Sequence, residues 1–274
     1  QLPEADAIIH PLVDKNYPDK GLAGGAVAFK LVQGLLKKHL DNGKNLLNKQ
    51  THEAFEKWLL DMVAIATVGD MVPLIGESRT FTKHGLIVLN KTRRIGLQKL
   101  LLESRIVQED GTKKREIDAD TIGYQIAPRI NAAGRMNHAS VAYNLMITED
   151  PEEAAELAIE LNQENQNRQK MTENLVKEVI NDIEKKQKNN PILFYVGEGW
   201  STGIVGLIAG RIKEKYYKPT IILARNDGEI TGSGRSIEEF NMIKALQEIP
   251  EMFTKFGGHP AACGFTLKDK NLIP

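Results

Sequence analysis

DPEEAAELAIELNQENQNRQKMTENLVKEVINDIEKKQK, residues 150–188, is the stretch from which the rest of the chain is read. Asp150 is a good N-cap, Pro151 suits the first helical position, and neither Gly nor Pro follows before about Lys188, so the stretch predicts one long helix. At ~1.5 Å per residue it would run on the order of 55 Å, more than one small domain needs. Its ends carry apolar stripes, Ala154/Leu157/Ala158/Leu161 and Met171/Leu175/Val179/Ile183, whereas Asn162 to Lys170 is polar throughout. A helix packed at both ends and polar between them predicts two domains joined across a cleft.

Downstream the pattern changes. Ile192–Val196 reads as a strand, Gly203 to about Tyr216 as a helix, and Thr220–Ala224 as a second strand after Pro219, a strand-helix-strand unit that argues for an α/β domain. Gly232-Ser-Gly-Arg-Ser236 follows, with Ser236 and Glu239 spaced as a capping box for a helix expected to begin at once. Phe256-Gly-Gly-His-Pro-Ala-Ala-Cys-Gly-Phe265 leads into a final strand. Upstream, three- and four-residue apolar spacing predicts helices over Gly21–Leu40, where Gly24-Gly25 permits close packing or a bend, over Glu53 through Ile65, and over residues 94–104. Pro73 stops the second of these. A short helix over 118–124, capped by Asp118 or Asp120, leads into Ala127-Pro-Arg-Ile-Asn-Ala-Ala-Gly-Arg135, read as a loop.

Composition sets limits on function. With 36 Lys+Arg against 36 Asp+Glu in 274 residues the formal net charge is zero, so a polyanion must be met by a local basic cluster rather than by bulk charge. One cysteine, Cys263, excludes a disulfide framework, and no CxxC or HExxH pattern offers a zinc site. An intracellular, cytoplasmic protein without a membrane span is expected, because no apolar run approaches the ~18 residues a span requires. The first residue is Gln1 rather than Met, which suggests that the chain starts inside a longer protein.

Several residues could carry chemistry. Asp70 lies between Val63-Ala-Ile-Ala-Thr-Val68 and Met71-Val-Pro-Leu74, where an ionised carboxylate must be paired or bound to a metal; the competing reading is an Asp that caps a helix or turn beside Gly69. Pro128-Arg-Ile-Asn-Ala-Ala-Gly-Arg135 places Arg129, Asn131 and Arg135 among small side chains, and arginine forks match phosphate oxygens; the alternative is that they pair with acidic neighbours. Ser233 and Arg235 alternate on an extended stretch and so point the same way, beside an expected helix N-terminus. Gly257, Gly258 and His259 read as a turn with exposed amides and one imidazole, a candidate anion nest, though a lone His in a turn is commonly structural. Gly197–Gly203 matches neither G-x-G-x-x-G nor a P-loop and is read as structural. Lys91/Arg93/Arg94 and Lys113/Lys114/Arg115 look like solvated basic faces without aromatic interleaving, and of the other histidines only His138, beside Arg135, stands out.

In this order the segments Leu2–Pro11, Leu22–Phe29, Ala66–Leu74, Ile126–Arg135, Leu161–Gln169, Trp200–Arg211, Gly232–Ser236 and Gly257–Gly264 resemble the RecJ-type single-stranded-DNA-specific exonucleases of the DHH phosphoesterase superfamily. The resemblance implies an α/β fold: residues 1–149 as the C-terminal part of a DHH-type domain, 150–188 as a connecting helix, and 189–274 as a smaller DHH-associated substrate-binding domain. It implies a 5′-to-3′ exonuclease of DNA recombination and repair, acting as a monomer on single-stranded DNA, with a single-stranded-DNA-binding protein or a helicase as partner. Two Mn2+ or Mg2+ ions would activate water, with Asp70 as the metal ligand and Arg129 and Arg135 beside the scissile phosphate. Ser233, Arg235, Gly257, Gly258 and His259, with Asn131, would hold the substrate. The family's D-x-D pair, second Asp and Asp-His-His triplet would all precede Leu2, and Trp200-Ser-Thr and Cys263 depart from its usual pattern. A chain that binds DNA without cutting it, and an oligoribonuclease or cyclic-dinucleotide phosphodiesterase, are the alternative readings.

Overall fold

The computed structural model describes residues 3–46, 50–113, 115–136 and 139–272, so Lys114 and His138 lie outside the described residues. These divide into two compact units, Gln1–Asn131 with Ser140–Asn162, and Ala132–Ala139 with Gln163–Pro274.

The first unit is helical. It holds α1 (Gly24–Asp41), α2 (His52–Trp58), α3 (Leu60–Gly69), α4 (Gly76–Leu89), α5 (Ile95–Glu103), a single turn α6 (Ala119–Thr121), the start of α7 (Ala127–Met136), α8 (Ser140–Ile147) and the start of α9 (Pro151–Lys186). α3 is the central element: Val63, Ala64 and Ile65 are buried, and α1 lies so close that a Cβ on Gly25 would fall 2.5 Å from the Ala66 methyl, the close packing expected of the glycine pair. The helix expected over Glu53–Ile65 is two helices. Leu59 N–H bonds Glu56 O at 3.1 Å, and this tightened turn breaks the run.

The segment read as a loop before Arg135 is helical, which corrects that expectation. Asp118 does cap the preceding turn, accepting from Thr121 N–H at 2.7 Å. Residues Ile122–Ile126 then form a π turn and Ala127–Met136 an α-helix. Pro128 has no N–H and its ring would crowd the carbonyl four residues back; the wider turn just before it accommodates the ring without ending the helix.

α9 is the helix anticipated from Asp150, whose carboxylate accepts from Glu152 N–H at 2.8 Å. In the second unit its C-terminal part buries Val179 and Ile183. There a five-stranded sheet has the order β1-β2-β3-β5-β4, with β1 (Leu193–Glu198), β2 (Thr220–Asn226), β3 (Glu229–Arg235), β4 (Lys255–His259) and β5 (Ala262–Lys268). β1 and β2 run parallel around the crossover helix α10 (Val205–Tyr216), and the other pairs are antiparallel. Alternation along the strands separates two cores. Ile222 and Ala224 pack with Val179, Ile183, Ile208 and Ile212 under α9 and α10, and Leu223 packs with Met242, Leu246, Cys263 and Phe265 under α11 (Met242–Gln247).

Two local expectations after β3 fail. No helix starts at Ser236. Its hydroxyl donates to Phe240 O at 2.7 Å, and Asn241 caps α11 by accepting from Lys244 N–H at 3.1 Å. Gly257–His259 is not a turn but most of β4, whose own turn lies at Pro260-Ala261. Gly258 serves a crowded strand pairing, where a Cβ would lie 2.3 Å from Ala262 O, whereas Gly257 faces open space.

Candidate anion-binding site

Strand register assembles the predicted residues of the second unit. Arg235 pairs with Ala262, and Ala262 with His259; Ser233 pairs with Gly264, and Gly264 with Gly257. Cross-strand partners share a face, and residues two apart along a strand do too. Ser233, Arg235, Gly257 and His259 therefore belong to one face, with Ala262 and Gly264 as a small-residue floor between them. At ~4.8 Å between strands, Arg235 and His259 are about 10 Å apart. Gly258, with Cys263 and Gly234, belongs to the opposite face.

α10 covers the Ser233–Arg235 side. A Cβ on Gly206, in its first turn, would lie 2.8 Å from Arg235 Nη2 and 3.1 Å from Ser233 Oγ. The helix start beside Arg235 is thus that of α10 and not, as the sequence suggested, that of the following helix. Arg235 Nη1 donates to Ser233 Oγ and to Gly234 O, both at 2.9 Å, and Ser233 Oγ donates to Cys263 O at 3.2 Å. Arg135 also belongs to this unit. It is exposed, and its Nη1 donates to Gly203 O at 3.0 Å. The chain before α10 runs so close that a Cβ on Gly203 would stand 2.3 Å from Arg135 O.

Sequence reasoning missed two further arginines of this unit. Arg168 donates to Asn165 Oδ1 at 2.8 Å, while its buried Nε has no hydrogen-bond partner among the described residues. Burial, then the like charges of Arg135 and Arg211, depress its pKa below the usual arginine range. Burial likewise lowers that of Arg235; the nearby Cys263 thiol raises it, and Arg135 adds to the lowering. Guanidiniums whose hydrogen bonds go to neutral acceptors and that repel one another present positive charge, which suits an anion. Arg168 lay in the polar middle of the long helix, where its run of amides was a usable signal. Arg211 gave none, sitting in an otherwise ordinary amphipathic helix.

The residues predicted in the first unit are placed differently. Arg129 is engaged within it: Nε donates to Asn162 Oδ1 at 2.9 Å and Nη1 to Gln125 O at 2.7 Å, and Asn162 in turn donates to Glu103 at 2.8 Å. Burial lowers its pKa and the charge of the Glu103 carboxylate opposes that shift, but its hydrogen bonds go to an amide and a carbonyl and Glu103 is reached only through Asn162. Asn131 is exposed. Asp70 terminates α3, its N–H bonding Ala66 O at 3.0 Å, and its side chain is exposed; the argument from apolar surroundings does not hold for it. In the first unit it is the Asp61 carboxylate that is buried, which sequence reading passed over. Among the described residues no three His, Cys, Asp or Glu side chains group as a metal site, and one exposed Asp does not fit a two-metal centre.

The second unit is built on a five-stranded mixed sheet, and residues 188–274 match the DHHA1 domain. Over nearly its whole length the chain is similar to part of the proteins named single-stranded-DNA-specific exonuclease RecJ. It is 38% identical over 99% of its length to the single-stranded-DNA-specific exonuclease RecJ of Bacillus subtilis, covering 32% of that protein. It is 37% identical over 98% of its length to that of Escherichia coli, covering 47%. The crystal structure of RecJ in complex with Mg2+ from Thermus thermophilus superposes with a TM-score of 0.77 at 27% identity, over 95% of this chain and 38% of that one. The chain thus spans 32–47% of these relatives' length. No described helix is long and apolar enough to cross a membrane.

Proposed function

We propose that this chain serves a 5′-to-3′ exonuclease acting on single-stranded DNA in recombination and repair, and that its second unit grips the phosphate at the strand end. The observation that carries the reading is the gathering of Ser233, Arg235, Arg135 and Arg168 in one unit, with an Arg168 Nε buried and unbonded. Arg235 offers a fork to phosphate oxygens, Ser233 fixes its orientation, and the small floor at Ala262 and Gly264 lets the sugar-phosphate approach. His259 and Gly257 flank the same floor. Holding the terminal phosphate at a fixed place sets which bond is presented for hydrolysis, a positional contribution to rate. In this reading residues 1–149, 150–188 and 189–274 are DHH portion, connector and substrate-binding domain, and the protein works as a monomer in the cytoplasm.

Mn2+ or Mg2+ would polarise the phosphate and the attacking water; in this reading Asp70 is at most one ligand, and the others come from residues outside this sequence. In a second reading the chain by itself binds the strand without cleaving it. Fluorescence anisotropy with 5′-phosphorylated and 5′-hydroxyl oligodeoxynucleotides tests the grip. The phosphorylated strand should bind at least ~10-fold more tightly, a preference lost in Arg235→Ala, on the ~1.5–3 kcal/mol expected of a charged hydrogen bond. Equal affinity for both strands would refute it. Release of mononucleotides with Mn2+ by the chain alone would refute the binding-only reading.

A further inference from the structure

The first unit contains a cavity of about 690 Å3 that the strand-end reading does not use. That volume lies within the ~300–1,000 Å3 typical of small-molecule sites. Its walls include Trp58, Arg93 and Arg94, with Phe55 and Ile147 among the apolar residues and Glu149 as an acidic one. The basic run Lys91/Arg93/Arg94 showed no aromatic neighbour in sequence, but the fold supplies one: the Arg93 guanidinium sits over the Trp58 ring, 3.9 Å from its centroid. Arg93 itself is exposed, so the outer face of this stack is open.

Arg94 is held quite differently. Asp61, only 1% exposed, accepts from Arg94 Nε at 3.2 and 3.1 Å through its two oxygens, from Thr92 Oγ1 at 3.2 Å and from Met62 N–H at 2.7 Å. A carboxylate saturated in this way fixes the guanidinium through Nε alone, and the two Nη groups keep four donors for another partner. Flat stacking surface, anchored guanidinium and an apolar wall in one cavity form a receptor for a molecule that is planar at one end and anionic at the other.

We propose that this cavity binds a nucleotide, its base on the Arg93–Trp58 stack and its phosphate on Arg94. Glu149 then accepts from exocyclic amino or ring N–H groups of the base. The nucleotide is either a free deoxynucleoside monophosphate or one unit of a strand, and the inference stands independently of the exonuclease reading. Titrating the chain with dAMP, deoxyadenosine and a 5′-hydroxyl oligodeoxynucleotide while recording tryptophan emission tests it. Saturable quenching by dAMP, about tenfold weaker with deoxyadenosine and absent in Trp58→Phe, is expected; saturation by the oligonucleotide alone would assign the site to a strand. Arg93→Ala should weaken binding about tenfold with unchanged thermal melting, and Arg93→Lys, which keeps the charge but not the flat face, should restore part of it. The proposal is overturned if neither dAMP nor the oligonucleotide quenches saturably, if quenching persists in Trp58→Phe and so arises from Trp200, or if Arg93→Ala melts normally yet binds equally. Saturation by an acidic peptide where both nucleotide probes fail would also overturn it.

Discussion

Replacing Gly206 by Ala probes the arginine face without removing any polar group. Gly206 has helical geometry in the first turn of α10, so the backbone accepts alanine, and helix propensity favours the change by up to ~1 kcal/mol. The added methyl, however, would lie 2.8 Å from Arg235 Nη2, about 0.7 Å inside an ordinary ~3.5 Å contact. The nearest obstructing atom is the end of a flexible side chain and the next, Ser233 Oγ at 3.1 Å, needs to give by only a few tenths of an ångström, so the guanidinium swings away and the fold relaxes at little cost. A movement of that size takes Nη1 beyond hydrogen-bonding reach of Ser233 Oγ and Gly234 O, each now at 2.9 Å, and turns the fork from its present direction. Loss of one aligned charged hydrogen bond costs about 1.5–3 kcal/mol, or ~10- to 150-fold in affinity for a 5′-phosphorylated strand. Anisotropy titration read beside urea unfolding separates the effects: binding should fall by that factor while unfolding stability stays within ~1 kcal/mol of the parent. Unchanged affinity would show that Arg235 is not the phosphate receptor. A large loss of stability would show that the methyl meets something less yielding than a side-chain end.

Binding should weaken with salt, each phosphate contact on single-stranded DNA adding about −0.7 to the slope of log K against log salt; Arg168→Gln should make the slope shallower by about that amount, and an unchanged slope would remove Arg168 from the contact. Asp61→Ala leaves the half-buried Arg94 without its counter-charge and should destabilise the first unit by about 3–5 kcal/mol in urea unfolding, whereas a loss below ~1 kcal/mol would mean that the pair contributes little. Burial, a hydrogen bond to Glu184 and that carboxylate's charge push the Tyr216 pKa up to about 12. Since the folded value exceeds the unfolded one near 10, this contribution is complete below about pH 10 and is lost as pH rises toward 12. The parent should therefore lose melting temperature faster than Tyr216→Phe over that interval, and parallel curves would contradict it.

How far the sequence could be read depended on the range of the forces involved. The long helix, its Asp150 cap, the strand-helix-strand unit and the apolar faces follow from local periodicity, and the structure has them within a few residues. The failures lie where a distant group decides. The stretch before Arg135 reads as a loop, yet a π turn beside Pro128 absorbs its ring and the chain stays helical. Ser236 and Glu239 had capping-box spacing, but Ser236 is drawn to Phe240 O and Asn241 takes the cap. Glycines at 257 and 258 suggested a turn, whereas pairing with β5 extends them into an edge strand. Asp70 drew attention through its apolar neighbours, yet helix geometry turns it to solvent and buries Asp61 instead, whose partner Arg94 is 33 residues away.

A net charge of zero proves compatible with a strongly positive site because the arginines divide by the chemistry of their partners. Arg225 hydrogen-bonds Glu198 at 2.7 Å and forms an ion pair with Asp269 at 2.8 Å, and Arg94 bonds Asp61; these charges are cancelled where they stand. Arg235 bonds a hydroxyl and a carbonyl, Arg135 a carbonyl and Arg168 an amide, partners that orient a guanidinium without neutralising it. Counting Lys and Arg against Asp and Glu averages over both groups and so conceals the second. The same distinction separates the two sites of this chain. In the second unit bare charges gather and strengthen one another's field, which suits a phosphate drawn from solution. In the first, Arg94 is pre-paid by a buried carboxylate, so selectivity there must come from hydrogen-bond geometry and from the Arg93–Trp58 stack, which respond weakly to salt.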